Sequence, residues 1–186
     1  MQTQRILVVE DERIVSLDLC SRLKRLGFEV ASTASTGDAA VEAALELKPD
    51  LILMDIVLEG QTDGIQAAEI IRGRAEVPII YLTAYADEKT LDRAKLTGPE
   101  GYIIKPPAER ELKMAIEVAL YKHGMEAKLE QNRRWLATTL ESIGDAVLAT
   151  DNQGRVVFLN RAAAGLLDCG QDSAKGRPLA EVFRLR

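Results

Sequence analysis

The sequence predicts an α/β fold: a doubly wound parallel sheet of five strands, then one long helix and a small α+β segment. Three observations carry this. Ile6-Leu7-Val8-Val9, Leu51-Ile52-Leu53-Met54, Ile79-Ile80-Tyr81-Leu82 and Tyr102-Ile103-Ile104 are continuous apolar runs of strand length, as strands covered on both faces are. Helical patterns separate them, and this alternation specifies right-handed parallel crossovers with helices on both faces. From Glu109 to about Ser142, Gly124 alone and no proline interrupts a run of helix formers.

The expected order is strand 4–10, helix 12–26, strand 28–34, helix 36–47, strand 51–55, helix 64–73, strand 78–82, helix 87–96, strand 101–104 and a helix from about 107. Asp63-Gly64 is a turn signal before the helix that opens at Ile65, so the long stretch Leu58–Gly64 is read as a local loop.

Each apolar run ends on a group with chemistry: Glu10-Asp11, Asp55, Thr83 and Lys105-Pro106. Ligands of open parallel sheets bind beyond the carboxyl ends of the strands, so these residues are expected to converge in one crevice. A carboxylate is a weak nucleophile toward a phosphoryl donor because both are negative. A cation must neutralise the donor's oxygens and align it for in-line attack. Glu10 and Asp11 offer the hard oxygen ligands that Mg²⁺ prefers, and Lys105 offers a mobile point charge. Carboxylates at helix starts also occur simply to stabilise the helix dipole.

The stretches ILVVEDE, LILMDIVLEG, YLTAYAD and GYIIKP, in this order, closely resemble the receiver domain of two-component response regulators over residues 4 to 122. The resemblance implies a flavodoxin-like sheet of order 2-1-3-4-5. It implies Asp55 as phosphoacceptor and metal ligand, with Asp11 and the backbone carbonyl of Val57 as direct ligands of Mg²⁺ and Glu10 acting directly or through water. Thr83 would donate its hydroxyl to the phosphoryl group and Lys105 would hold its oxygens. Tyr102 would be the switch aromatic that turns in behind Thr83 and remodels the face of the fourth and fifth helices. A cis Lys105-Pro106 peptide is also implied. Aspartyl-phosphate hydrolases usually carry a second aspartate two residues after the nucleophile; Val57 stands there, which argues against that class. Val57 and Tyr85 would flank the approach of water to the phosphorus, with no acid or amide to position it. Slow autodephosphorylation is expected, and a half-life of seconds would contradict it.

Composition agrees. At 186 residues and 47% hydrophobic content the chain can bury a core and hold an ordinary domain plus part of a second. It has no run of 18 apolar residues and no apolar stretch near its start, so a cytoplasmic protein is expected. Cys20 and Cys169 lack metal-ligand spacing and are read as reduced thiols. Residues 1–108 carry 12 Lys and Arg against 18 Asp and Glu, whereas residues 109–186 carry 12 against 11, so neither half has the concentrated basic charge of a DNA-binding module. Direct nucleic-acid or membrane binding is not expected.

The domains expected are a receiver at 1–122, a helical or coiled-coil linker at 123–139 that continues the fifth receiver helix, and an incomplete PAS domain at 140–186. Leu112, Ala115, Ala119, Lys122, Glu126, Leu129, Arg133, Leu136, Leu140 and Ile143 follow spacings of three and four, the seam of a parallel dimeric coiled coil. Lys122, Glu126 and Arg133 weaken that seam, so a single linker helix lying on its own chain is the alternative. A homodimer through the fourth-helix/fifth-helix face and the linker is expected. His123 lacks the neighbours of a phospho-accepting histidine and reads as a solvated helix residue; no nucleotide-binding motif marks the chain as a kinase.

From Leu140 the sequence resembles the opening of a PAS domain, with strands at 146–150 and 155–159, a turn at Asp151–Gly154, a helix from Asn160 and a further short helix in 176–183. Asn160 is expected to bond backbone at the strand-to-helix turn. About 50 residues cannot close a PAS ligand cavity, so the chain is expected to be a piece of a longer sensor-regulator, with no haem or flavin in this segment. Two functions follow: a receiver phosphorylated by a sensor histidine kinase or phosphotransfer protein that signals through the linker to a PAS-containing region, or a constitutive, never phosphorylated dimerisation scaffold. The complete acidic site favours the first.

Overall fold

The computed structural model describes residues 3–84 and 88–183, the side chains of residues 88–91 and 171 excepted. The chain divides into two compact units, Met1–Met125 and Glu126–Arg186. The first holds strands β1 (Arg5–Val9), β2 (Glu29–Ala34), β3 (Leu51–Asp55), β4 (Ile79–Thr83) and β5 (Gly101–Ile104) in one parallel sheet of order β2-β1-β3-β4-β5. Helices α1 (Arg13–Arg25), α2 (Gly37–Leu47), α3 (Gly64–Arg72) and α4 (Glu88–Leu96) connect them, and α5 (Glu109–Ser142) follows.

The period-two geometry of a strand divides each apolar run between two cores. Leu7, Val9, Ile52, Met54, Ile79 and Tyr81 point to one face, where Ala40 and Ala44 of α2 and Ile65, Ala68 and Ile71 of α3 cover them. Ile6, Val8, Leu51, Leu53, Ile80 and Leu82 point to the other, under Leu19 and Leu23 of α1 and Leu112, Ile116 and Ala119 of α5. Fully burying each such side chain contributes roughly 1.5–3 kcal/mol. With both faces occupied, only the strand ends are open to a ligand.

Local signals set the helix starts. Thr36 caps α2 by accepting from the Ala39 N–H. Asp63 and Gln66 form a reciprocal capping box at α3, satisfying two backbone donors at once. Arg93 of α4 donates to the second Asp63 oxygen at 2.9 Å, so Asp63 is more than the turn residue expected. Glu100, directly before β5, accepts from the Ile79 N–H at 2.7 Å and pairs with Arg72 at 3.0 Å.

The expected heptad seam requires correction. Its first members, Leu112 and Ala119, are buried in the receiver core and Ala115 packs against it, so these positions are consumed within the chain.

In the second unit, β6 (Leu148–Thr150) and β7 (Val156–Leu159) form an antiparallel pair followed by α6 (Arg161–Leu167), α7 (Gln171–Ala174) and α8 (Leu179–Val182). Val156, Leu159, Ala163, Ala174 and Val182 make a small core. Asn160 is its polar centre. Its side-chain oxygen accepts from the Val147 and Ala163 N–H groups, and its amide donates to the carbonyls of Leu140, Ile143 and Asp145. One carbonyl left free in the last turn of α5, that of Leu140, is thereby satisfied together with two just beyond the helix. Helix α7 had no counterpart in the sequence reading. No helix among the described residues is long and apolar enough to cross a membrane.

Candidate functional site

Sheet register delivers the candidate residues to one rim. The Glu10 N–H donates to the Ala34 carbonyl at 2.9 Å, carrying the β1–β2 pairing one residue past the strand. Asp55 ends β3 opposite Leu82, and Thr83 ends β4 opposite Ile104. The Lys105 N–H donates to the Thr83 carbonyl at 2.8 Å, and the Lys105-Pro106 peptide is cis. Arg22 of α1 anchors the following turn by donating to the Pro107 carbonyl at 2.8 Å.

The Lys105 ammonium bridges two carboxylates, at 2.6 Å from Asp55 Oδ2 and 2.7 Å from Glu10 Oε2. Burial pushes the Glu10 carboxyl up; the Lys105 hydrogen bond opposes this and the Asp55 charge reinforces it. Burial works against the Lys105 charge as well, but the hydrogen bonds and charges of Asp55 and Glu10 outweigh it, and its affinity for a proton rises. Glu10 Oε1 is buried without a hydrogen-bond partner. Leaving such an acceptor unpaired costs about 1–3 kcal/mol, a cost that a cation seated there would offset. Glu10, Asp11 and Asp55 present oxygens within 4.8 Å of one another. A converging set of hard oxygen donors, one of them an orphan, fits Mg²⁺.

The β3–α3 loop is tied to these ligands. The Val57 N–H donates to Asp55 Oδ1 and the Glu59 N–H to Asp11 Oδ2, each at 3.2 Å. The Val57 side chain is exposed, so an apolar group stands beside Asp55. Gly64 begins α3 against the same strand end, with its N–H donating to the Ile56 carbonyl at 3.1 Å. Sequence reading missed Gly64 and the Glu59 amide. The Asp63…Gln66 spacing was a legible capping signal for the start of this helix.

Thr83 is buried at the rim and Tyr102 is partly exposed. Tyr102 stacks on Tyr81, with ring centroids 5.8 Å apart and 28° between planes. The Tyr81 hydroxyl shares a 2.9 Å hydrogen bond with Thr97 Oγ1, which donates to the Ala94 carbonyl at 2.7 Å. Burial pushes the Tyr81 phenol up to about 12, although the Thr97 hydrogen bond pulls the other way. Tyr85 lies outside the described residues.

Residues 6–117 match a family model described as the response regulator receiver domain, and residues 140–186 match one described as a PAS fold. Among curated proteins, the transcriptional regulatory protein PdtaR of Mycobacterium tuberculosis is 35% identical over 139 residues, covering 75% of this chain and 67% of PdtaR. The DNA-binding response regulator MtrA of the same organism is 35% identical over 66% of this chain and 53% of its own length. Among solved structures, the receiver domain of a modulated diguanylate cyclase from Desulfovibrio desulfuricans G20 shares 37% identity at TM-score 0.65, covering 67% of this chain and 99% of that one. The receiver domain of the Pseudomonas aeruginosa sensor histidine kinase PA1611, described with magnesium in its active-site cleft, shares 32% identity at TM-score 0.59, covering 64% of this chain and 98% of that one. The N-terminal domain of a response regulator/sensory box/GGDEF protein from Carboxydothermus hydrogenoformans shares 33% identity at TM-score 0.61, covering 67% and 99%.

Proposed function

The chain belongs to the response regulator receiver family, and from that premise we propose that it is a phosphorylation switch in which Asp55 takes a phosphoryl group from a sensor histidine kinase or phosphotransfer protein. The observation that carries this is the Lys105 ammonium held between Asp55 and Glu10 beside the unpaired Glu10 Oε1. It supports the reading because a carboxylate, a counter-charge and an unpaired acceptor lie in one crevice.

Glu10, Asp11 and Asp55, with the Val57 carbonyl, would hold Mg²⁺, which when bound supplies the charge that lets an anionic donor approach a carboxylate. An Asp55 oxygen attacks the phosphorus of phosphohistidine. The P–N bond breaks as the P–O bond forms, and the imidazole leaves and takes up a proton. Lys105 follows the negative charge from the carboxylate to the new phosphoryl oxygens. Thr83 donates its hydroxyl to them, and Tyr102 leaves Tyr81 to turn in behind Thr83. An added dianion thus biases an element with two arrangements. The output is read as passing through α5 to a PAS-containing region, with a homodimer formed through the α4/α5 face and the linker. The same reading makes the protein a cytoplasmic signalling component with no direct hold on nucleic acid.

Intact mass after incubation with acetyl phosphate tests the reading. One phosphoryl adduct is expected in the wild type with Mg²⁺, and none without Mg²⁺ or in Asp55→Asn. A folded, Mg²⁺-binding wild type that takes up no phosphoryl group would favour the constitutive scaffold.

A further inference from the structure

Residues 56–63, which join β3 to α3, are fastened along their length within the first unit. Leu58 is buried in the core beside α2 and α3. The Val57 and Glu59 N–H groups hold Asp55 Oδ1 and Asp11 Oδ2. The Val57 carbonyl, read above as a ligand of Mg²⁺, thus lies in the chain between two amides that each grip an acidic ligand. Further on, Thr62 docks against the start of α2. A Cβ on Gly37, the first residue of that helix, would collide with the Thr62 carbonyl oxygen and lie 2.8 Å from Thr62 Cγ2. Thr62 therefore sits in a notch that a larger residue at position 37 would fill. There its hydroxyl donates to Asp38 Oδ1 at 2.7 Å, across 24 residues of sequence.

We propose that Thr62, Asp38 and Gly37 are positioning residues for the metal centre. Their clasp on α2 keeps the loop seated, so that the Glu59 N–H stays on Asp11, and it thereby sets the affinity for Mg²⁺. The inference rests on the reading of Glu10, Asp11, Asp55 and the Val57 carbonyl as Mg²⁺ ligands, and adds a determinant outside that set. A ligating carboxylate is oriented by the hydrogen bond to its other oxygen, and loss of such an outer partner typically lowers metal affinity roughly 10–100-fold. The clasp acts one link further out. When it opens, the loop samples other positions, and apparent affinity falls with the fraction of time that the loop is seated. The bond is charge-assisted, which strengthens it, whereas Asp38 is exposed, which weakens it. The expected loss of Mg²⁺ affinity on breaking it is therefore about three- to tenfold.

Calorimetric titration of the full chain with Mg²⁺, at constant ionic strength and with no phosphoryl donor present, tests the proposal. Thr62→Val keeps the side-chain shape and removes the hydroxyl, and Asp38→Ala removes the acceptor. Each is expected to bind Mg²⁺ about three- to tenfold more weakly. Thr62→Ser keeps the donor and Asp38→Asn keeps an acceptor without the charge, so both are expected to stay within about twofold of the wild type. The double variant Thr62→Val/Asp38→Ala should bind no more weakly than the weaker single variant, because both substitutions remove one and the same bond. Gly37→Ala disturbs the notch from the side of α2 and should also weaken binding. Circular dichroism checks that each variant folds, and the two Thr62 variants alone decide the matter if the others do not. Unchanged affinity in Thr62→Val, an equal loss in Thr62→Ser, or fully additive losses in the double variant would overturn the proposal. A wild type that binds no Mg²⁺ would overturn the metal reading and the clasp together, whereas a wild type that binds Mg²⁺ no more tightly than Thr62→Val would overturn the clasp alone.

Discussion

A Cβ placed on Gly64 would lie 1.8 Å from the backbone carbonyl oxygen of Asp55. Helix α3 therefore begins so close to the proposed phosphoacceptor that only glycine fits. The constraint is steric and tertiary, since the φ of Gly64 is not in the left-handed region.

Gly64→Ala is expected to force the start of α3 away from β3 and to cost about 1–3 kcal/mol. A urea titration should show a lower midpoint, and the phosphoryl adduct at Asp55 should form more slowly because the carboxylate shifts with its backbone. An unchanged midpoint and rate would show that the loop yields without moving Asp55.

Replacing Lys105 by methionine leaves the Asp55 and Glu10 carboxylates without the ammonium that bridges them. Their mutual repulsion should lower stability in the absence of metal, while the loss of a competing cation should tighten Mg²⁺ binding several-fold. Calorimetric titration with Mg²⁺ measures the second effect. Weaker binding in the variant would mean that Lys105 organises the site more than it competes for it.

Tyr81 supplies the pH dependence. Its phenol has a pKa of about 12 in the fold and about 10 in an unfolded chain. The folded state thus holds the proton more tightly. The associated stability is fully present below pH 10 and is lost as pH rises through 12, an alkaline decline on the order of 2–3 kcal/mol. Tyr81→Phe should abolish that part of the decline while losing about 1 kcal/mol at neutral pH with the Thr97 hydrogen bond. Denaturant midpoints at pH 7 and at pH 11 compare the two proteins. Equal alkaline slopes would remove Tyr81 as the source.

Asn160 should be the residue whose loss opens the second unit. Asn160→Asp keeps the acceptor for Val147 and Ala163 but turns an anionic oxygen toward the carbonyls of Leu140, Ile143 and Asp145. A cost of about 3 kcal/mol or more is expected. Hydrogen exchange should lose protection across residues 140–163 while β1, β3 and β4 keep theirs. Protection retained at Val147 would mean that the hairpin closes without the amide.

Much of this was legible one residue at a time. Strand-length apolar runs flanked by helical patterns identified β1, β3, β4 and β5, because burial on both faces demands continuous apolar residues, whereas β2, at the sheet edge and only partly buried, carries no such run. The candidate site residues were recognisable because Glu10, Asp55, Thr83 and Lys105 each follow such a run directly, and a strand end is where a parallel sheet opens to a ligand. The heptad seam loses its first members for a specific reason: Leu112 and Ala119 have the spacing of a coiled coil, and spacing does not say which partner an apolar face meets. In α5 that partner is the receiver's own β-sheet core.

The sequence by itself determined the element order of the receiver, the acidic, hydroxyl and amine groups at the strand ends, and the helix that runs on past the receiver, because these depend on local periodicity and residue chemistry. Only the tertiary structure decided that Lys105 bridges Asp55 and Glu10 while one Glu10 oxygen is left unpaired, that Gly64 has no room for a side chain, that Asn160 closes the end of α5, and which face of α5 the receiver core takes up. Each of these is a relation between residues distant in the sequence or a matter of which face is already occupied. Such relations are set when the sheet and its helices close on one another.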